Sequence, residues 1–205
     1  SWAFTPYMNI YEANPDGTEL TPLTTGPSYN AECAYSPDGK EIVFASNRDG
    51  NMNLYIMNAD GSHLRQVTET VDCYNGGPFF SPSGKQIIFR ADREMQHVLQ
   101  LYVIDADGTN ECVLNKNSAV NWAPYWHPNG KVVAFTTSVH GHMHYEIYLL
   151  NIVTGRSVRM THNASFDGLP AFNVDGTKIV WTSKRSSDKS CQLFIADFVM
   201  PDWVK

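Results

Sequence analysis

The sequence predicts an all-β protein built from a repeated four-stranded unit. Two sequence anchors recur in phase, and no segment keeps a helical periodicity. The first anchor recurs with a step of 45 or 46 residues: YSPDGKEIVF from Tyr35, FSPSGKQIIF from Phe80, WHPNGKVVAF from Trp126 and FNVDGTKIVW from Phe172. The second recurs with a step of 46 or 47 residues: LYIMNADG from Leu54, LYVIDADG from Leu101, IYLLNIVTG from Ile147 and LFIADF from Leu193, with an echo, IYEANPDG, from Ile10.

Each unit contains four short strands in order. An extended segment such as YNAECAY precedes the first anchor, and the Ser-Pro-Asp-Gly run forms a tight turn because Pro presets φ and Gly accepts a positive φ. EIVFAS and NLYIMN are rich in β-branched and aromatic residues, Asn-Ala-Asp-Gly makes the next turn, and LRQVT supplies a fourth strand. Four antiparallel strands in about 45 residues are typical of a propeller blade. The predicted fold is therefore a β-propeller.

The repeat divides the chain into a partial blade and four further blades. The partial blade covers residues 1–25, blade 1 covers 26–69, blade 2 covers 70–116, blade 3 covers 117–162, and blade 4 covers 163–205 without its last strand. MNIYEANPDG and TELTPLT are predicted as third and fourth strands, and SWAF as part of a second. We expect part of a six-bladed ring or a five-bladed ring with incomplete end blades. Exposed blade faces then favour self-association or a partner that supplies a missing blade.

Composition limits the partners. The formal net charge is −6 and the longest basic run is SKRSSDK, which argues against nucleic acid. No apolar run approaches the roughly 20 residues that a membrane-spanning helix needs, and SWAFTPYMNI has no signal-peptide features. Cys33, Cys73, Cys112 and Cys191 form no CxxC pair, and their spacing favours free or buried thiols over a zinc framework or a dense disulfide scaffold.

The stretch YSPDGKEIVFASNRDGNMNLYIMNADGSHLRQVT resembles the repeat of TolB-type β-propellers. YNGGPFFSPSGK, VNWAPYWHPNGK and FDGLPAFNVDG are similar to an uncharacterised bacterial branch of these proteins. TolB is a periplasmic scaffold that binds the lipoprotein Pal, so the resemblance implies a bacterial, periplasmic or exported protein that binds other proteins. The chain contains no counterpart of TolB's α/β N-terminal domain, and a role in the Tol-Pal system is therefore not implied.

Polar residues recur on one face, which we call the top face. It carries the loops between the second and third strands and the links between blades. Alignment of the repeats places Asn30, Asn75, Asn121 and Asp167 in a ring at the channel mouth, with Tyr74 beside it, and aligns Arg48, Arg93 and Arg185 nearby. Val139 breaks the arginine series. These residues either join neighbouring blades by hydrogen bonds or bind a ligand or a partner's side chains.

The segment HGHMHYE places His140, His142 and His144 at alternate positions of the top face. Along a strand, positions two apart lie within roughly 7 Å and positions four apart about 13 Å, so at most two of them share an ion unless the loop folds back. Further metal ligands would be Glu146, His162 or Asp167, whereas His127 lies in a turn on the opposite face.

Two functions follow from these patterns. The favoured one is a non-enzymatic scaffold with no cofactor. The alternative is a metal-dependent enzyme on acidic saccharides, in which the ion polarises a uronate carboxylate and a base removes the adjacent proton. Oligogalacturonate lyases are propellers with related repeats and bind a divalent metal through histidines at the channel, but the similarity does not extend residue by residue.

Trp122 occupies the repeat position held by Ala31, Gly76 and Gly168. A large ring at one blade only, beside the histidines, favours a stacking platform for a sugar or an aromatic group. We therefore predict a site on the top face of blades 3 and 4, lined by Asn121, Trp122, His142 and Asp167, which binds a protein segment, a small ligand or a saccharide. The competing interpretation is that Trp122 caps a wide channel.

Overall fold

The computed structural model describes residues 4–204 and confirms the predicted all-β propeller architecture. Most of the predicted SWAF strand lies outside the described residues. The partial blade contains β1 (Tyr11–Glu12) and β2 (Thr21–Pro22). Blade 1 contains β3 (Asn30–Tyr35), β4 (Glu41–Ser46), β5 (Asn53–Asn58) and β6 (Arg65–Gln66). Blade 2 contains β7 (Asn75–Phe80), β8 (Gln86–Ala91), β9 (Gln100–Asp105) and β10 (Cys112–Val113). Blade 3 contains β11 (Asn121–Trp126), β12 (Val132–Thr137), β13 (Glu146–Asn151) and β14 (Ser157–Arg159), and blade 4 contains β15 (Asp167–Phe172), β16 (Lys178–Ser183) and β17 (Gln192–Asp197).

Every blade is a meander of antiparallel strands in sequence order. The first strand of each of the four main blades carries a bulge, because its register against the second strand shifts after the second residue. The bulged residues adopt a positive φ: Glu32, Gly77, Ala123 and Leu169. A bulge at the same place in each blade bends the innermost strand and turns the following side chains in the same way.

The hydrophobic core lies between blades. Between blades 1 and 2, Leu54 and Ile56 pack against Phe80 and Phe89, and all four are buried. A second core joins blades 3 and 4, with Leu149 of blade 3 against Ile179 and Trp181 of blade 4. Because adjacent blades are packed face to face, their top-face loops are held in a fixed order.

Blade 4 leaves one apolar face uncovered within the described residues. Leu193 is 77% exposed and Ile195 is 68% exposed, whereas the equivalent Leu54 and Ile56 of blade 1 are buried. After β17 the chain makes no Gly turn and packs back towards blade 3, where Phe198 contacts His127. It then forms a short 3₁₀ helix, η1 (Asp202–Val204), and no helix within residues 4–204 is long and apolar enough to cross a bilayer.

Candidate binding site on the top face

The predicted polar ring lies beneath the surface as a set of blade-to-blade contacts. Asn30, Asn75 and Asn121 are at most 1% exposed. Each donates its side-chain N–H to a side-chain oxygen of the preceding blade: Asn30 to Asn9 (3.0 Å), Asn75 to Asn53 (3.3 Å) and Asn121 to Gln100 (3.0 Å). This arrangement matches the first interpretation of the ring. Direct ligand binding by these asparagines remains a prediction.

The contact between blades 3 and 4 has different chemistry. Asp167 takes the asparagine position and Glu146 takes the position of Gln100, and both carboxylates are fully buried. Asn163 bridges them, since its backbone N–H donates to Glu146 (2.7 Å) and its side chain to Asp167 (3.5 Å). Arg159 pairs with Glu146 at 2.7 Å and Arg185 pairs with Asp167 at 2.6 Å. Two ion pairs therefore replace one pair of neutral amides.

The aligned arginines lie over pairs of aromatic rings. Arg48 stacks on Phe44 and Tyr55 at 5.2 and 5.0 Å from the ring centroids and donates to Asn30 at 2.7 Å. The other two arginines repeat this arrangement: Arg93 lies over Phe89 and Tyr102 and donates to Asn75, and Arg185 lies over Trp181 and Phe194 and donates to Asp167. These guanidinium groups connect the first and second strands of their own blades.

The three histidines occupy a loop of two consecutive turns, not an extended strand. Gly141 N–H donates to the Ser138 carbonyl at 2.8 Å, and His144 N–H donates to the Gly141 carbonyl at 2.9 Å. The His140 ring bonds the Tyr148 hydroxyl at 2.7 Å, and the His142 ring bonds the Tyr145 hydroxyl at 3.1 Å. The strand geometry predicted for these three histidines is therefore wrong, because the segment folds into turns.

A metal-ligand set is not assembled in this loop. Glu146 is held by Arg159 and Thr161, and across residues 4–204 no group of three or more His, Cys, Asp or Glu side chains is placed to hold an ion. A groove of about 470 Å³ beside the loop is lined by His140, His144, Arg159, His162, Asn163 and Ala164. His127 lies on the opposite face between Phe172 and Phe198, as its turn position predicts.

Three half-buried aromatic rings form the part of the predicted site that reaches the surface. Tyr145 contacts both Trp122 (ring centroids 6.2 Å apart) and Phe166 (5.9 Å), and Trp122 and Phe166 lie 6.5 Å apart. Burial raises the pKa of Tyr145, so the hydroxyl keeps its proton and serves as a hydrogen-bond donor or acceptor. We call Trp122, Tyr145 and Phe166 the aromatic cluster. The exposed His142 lies at its rim.

The size of Trp122 has a packing explanation. In blade 4 the Phe166 ring lies over Gly168, where an added Cβ would come within 2.7 Å of it, and in blade 2 Tyr74 covers Gly76 in the same way. Blade 3 reverses the order, with the smaller Val120 followed by the large Trp122. Each blade thus has one aromatic ring at this place, either at the position of Phe166 or, in blade 3, two residues later at Trp122. Asymmetry alone is therefore not evidence that Trp122 binds a ligand.

The channel side of blades 1 and 2 contains an ion pair that the sequence patterns did not indicate. Glu32 pairs with Arg90, and its carboxylate also accepts hydrogen bonds from the Tyr74 hydroxyl (3.0 Å) and from Gly77 N–H (2.8 Å). Burial raises the pKa of Tyr74 well above its usual range. Tyr74, predicted as a site residue, is thus engaged within the channel wall. The sequence signal for this ion pair is that Glu32 is charged, whereas the aligned bulge residues are Gly77, Ala123 and Leu169.

Fold and top-face contacts together define a repeat-built β-propeller. The family model for the TolB beta propeller domain matches residues 5–115 and 97–200, so the chain belongs to that family. The curated relatives include "Uncharacterized protein Atu1656" of Agrobacterium fabrum, 36% identical over 63 residues (31% of this chain and 22% of the relative). They also include "Uncharacterized peptidase YuxL" of Bacillus subtilis, 34% identical over 68 residues (33% and 10%).

Among solved structures, TolB from Acinetobacter baumannii superposes with a TM-score of 0.81 at 23% identity and covers 94% of this chain and 47% of that one. At this identity the likeness is one of fold. The chain spans less than a quarter of the length of either curated relative and about half of the A. baumannii TolB.

Proposed function

We propose that this propeller is a non-enzymatic binding scaffold of a bacterial periplasmic or exported protein, and that its top face at blades 3 and 4 recognises a protein segment. The observation that carries this proposal is the aromatic cluster of Trp122, Tyr145 and Phe166 with His142 at its rim. Half-exposed aromatic rings beside polar groups are the side chains that most often anchor protein interfaces. Membership of the TolB propeller family supports a scaffold role and a location outside the cytoplasm.

The layer beneath the aromatic cluster is held in place by ion pairs. Tyr145 and Phe166 flank the buried carboxylates Glu146 and Asp167, which are fixed by two ion pairs and by Asn163. Binding therefore does not have to order the blade boundary beneath the rings, and any ordering cost is confined to the surface loop. The adjoining groove at His140, His144 and His162 gives that segment room to continue along the surface.

The test compares variants in a binding assay. Immobilised protein captures partners from a periplasmic extract, captured proteins are identified, and a purified candidate is titrated against wild type and the variants Trp122→Ala and His142→Ala. We expect a loss of about 1–3 kcal/mol of binding free energy for Trp122→Ala and less for the rim residue His142. Val174→Ala, 96% exposed in a turn of the opposite face, is the control.

Thermal unfolding of the same variants separates binding from folding. His142 is exposed, so its removal leaves the melting temperature within about 1 °C. If both substitutions lower the melting temperature by several degrees and neither changes binding, the cluster is architecture and the proposal fails. A parallel glycan screen tests the saccharide alternative with the same variants.

A further inference from the structure

Among the main blades, as far as residues 26–204 describe them, blade 3 alone lacks an arginine over its aromatic pair. Arg48, Arg93 and Arg185 fill this position in the other blades, and blade 3 has Val139 there. Val139 is 51% exposed, and its isopropyl group has no donor to take the place of the guanidinium. The rings that the arginine covers elsewhere remain, since Phe135 and Tyr148 lie 6.0 Å apart with the same centroid separation as Phe44 and Tyr55 in blade 1.

The hydrogen-bond acceptors for that arginine also remain. In blade 1, Arg48 donates to Asn30 Oδ1 (2.7 Å) and to Ser46 Oγ (3.1 Å). The equivalent atoms of blade 3 are Asn121 Oδ1 and Thr137 Oγ1, and both are buried without a hydrogen-bond partner among residues 4–204. An amide oxygen, which only accepts, and a hydroxyl, which both donates and accepts, are thus left without a partner at one place, and this is costly because each has lost its water.

The orientation of the Asn121 amide is fixed by its other contacts. Its nitrogen donates to three acceptor oxygens, on Gln100 (3.0 Å), Asn117 (3.0 Å) and Ala119 (3.1 Å). Turning the amide over would place two oxygens against each other at all three contacts. The carbonyl oxygen therefore stays on the side where the other blades place their arginine.

His140 completes the likeness to blade 1. There, the Tyr55 hydroxyl is held by Asp49, the residue after the arginine, at 2.6 Å. In blade 3 the residue after Val139 is His140, and it holds the Tyr148 hydroxyl at 2.7 Å. The ring pair, the hydroxyl contact and both polar groups are all present. Blade 3 differs from blade 1 in the missing guanidinium and in the His140 ring, which also stacks on Tyr148 at a centroid distance of 6.0 Å.

We propose that Asn121 Oδ1, Thr137 Oγ1 and the rings of Phe135 and Tyr148 form a socket for a guanidinium group supplied from outside the chain, namely an arginine side chain of the bound partner. This inference rests on the proposed function, because the socket lies behind the loop 138–145 that carries His142 and Tyr145. A guanidinium fits because its planar fork donates to two neutral acceptors while its face stacks on an aromatic ring.

Entry requires movement of the loop over the socket, since both acceptor oxygens are enclosed. Residues 139–144 of this loop are exposed. Turn hydrogen bonds, two histidine–tyrosine hydrogen bonds and the ring contacts of the same two pairs, His140 with Tyr148 and His142 with Tyr145, hold them. A loop with few buried contacts opens at low free-energy cost compared with the core strands. The partner's arginine would then displace exposed atoms of the loop, and the packing of the blade core would stay unchanged.

The experiment uses agmatine, a small molecule with a guanidinium on a flexible amine chain, and the neutral butylurea as its control. Each is titrated from about 0.1 to 20 mM, the range expected for weak binding of a molecule this small, while NMR follows the Asn121 side-chain amide and the Thr137 amide. Wild type should bind agmatine saturably at one site and should not bind butylurea.

Val139→Arg is the decisive variant, because it copies the sequence of the other blades. It should supply the guanidinium internally, abolish agmatine binding and raise the melting temperature by about 3 °C. Arg48→Val should create a second agmatine site in blade 1, where Asn30 and Ser46 supply the two equivalent acceptors. If Arg48→Val does not fold, the comparison of wild type with Val139→Arg decides alone.

Two results would overturn the socket. One is the absence of saturable agmatine binding to wild type, which means that water alone satisfies these acceptors. The other is equal binding by wild type and Val139→Arg. Failure here is distinguishable from failure of the proposed function, because Trp122→Ala tests top-face binding without agmatine. A partner lost by Trp122→Ala but not by Val139→Arg would bind without an arginine.

Discussion

The boundary between blades 1 and 2 and the boundary between blades 3 and 4 solve one geometric problem with different chemistry. At the first, Asn75 donates to the Met52 carbonyl (2.8 Å), to Asn53 and to Thr70, which we call the neutral latch. At the second, Glu146 and Asp167 are bridged by Asn163, which we call the charged latch. The fold determines where the blades meet, and the residues there determine what each contact requires.

The two latches differ in what they need from the rest of the blade. The neutral latch needs only matched donors and acceptors. The charged latch buries two carboxylates, which are unfavourable away from water unless each has a counter-charge. Arg159 and Arg185 provide these charges from the fourth strand of blade 3 and the top loop of blade 4. Stability of the second boundary therefore depends on residues outside the latch.

The largest expected effect comes from removing one counter-charge. Arg159→Met leaves the fully buried Glu146 carboxylate without its cation, and we expect a loss of about 2–4 kcal/mol in the free energy of unfolding, measured by urea denaturation. Lys116→Met is the control. Lys116 also pairs with a glutamate, Glu94, but both side chains are more than a third exposed, so the loss should stay below about 1 kcal/mol. Equal losses would contradict the distinction between the latches.

A reciprocal exchange should give unequal effects of intermediate size. Asn75→Asp places a carboxylate oxygen against the Met52 carbonyl and should cost about 2 kcal/mol, even with Arg93 nearby. Asp167→Asn reproduces the arrangement in which Arg93 donates to Asn75, and it should cost less than about 1 kcal/mol. Thermal and urea unfolding measure both. A larger loss for Asp167→Asn than for Asn75→Asp would show that the latches are not built as described.

The smallest effect concerns the exposed loop that carries Arg185. Hydrogen bonds from Ser190 N–H and from the hydroxyls of Ser186 and Ser190 lower the pKa of Asp188 to about 2. Because this pKa lies below the usual 3.8, the carboxylate stabilises the loop above that pH, and the stabilisation is lost as the pH falls through about 2. NMR titration of the Asp188 carboxyl and the Ser190 amide should give a common midpoint near 2. A midpoint near 3.8 would mean that the loop is open in solution.

The fold was readable from the sequence because repetition supplies independent copies of the same signal. The turn and strand patterns recur once in each blade, and the aligned Arg48, Arg93 and Arg185 indicate a shared role before any contact is known. The valine at position 139 is also visible in the sequence. The sequence does not show that this valine leaves the side-chain oxygens of Asn121 and Thr137 unpaired, because Thr137 is an ordinary strand residue.

The candidate site was harder to predict for two physical reasons. His140, His142 and His144 alternate in sequence, but Gly141 closes a turn with a positive φ of 115°, so strand geometry does not apply to the loop. Trp122 is exceptional in size when it is aligned only with Ala31, Gly76 and Gly168. Positions 120 and 122 together show that blade 3 has the small residue first and the ring second, the reverse of the other blades. The link through Tyr145 depends on loop shape, which no aligned position reveals.

The latches also limit how such a gene can be rearranged. Each latch is formed by residues of two neighbouring blades. A duplicated blade therefore carries one side of the contact with the preceding blade and one side of the contact with the following blade. A copy of blade 4 inserted after blade 1 would set the Asp167 carboxylate against the Asn53 oxygen, which already accepts hydrogen bonds from Thr68 and Thr70. A copy of blade 2 could follow blade 1 without this conflict. The unit that must be inherited intact is therefore the boundary between two blades. A rearrangement that separates the two halves of a boundary places mismatched polar groups together and gives a less stable protein.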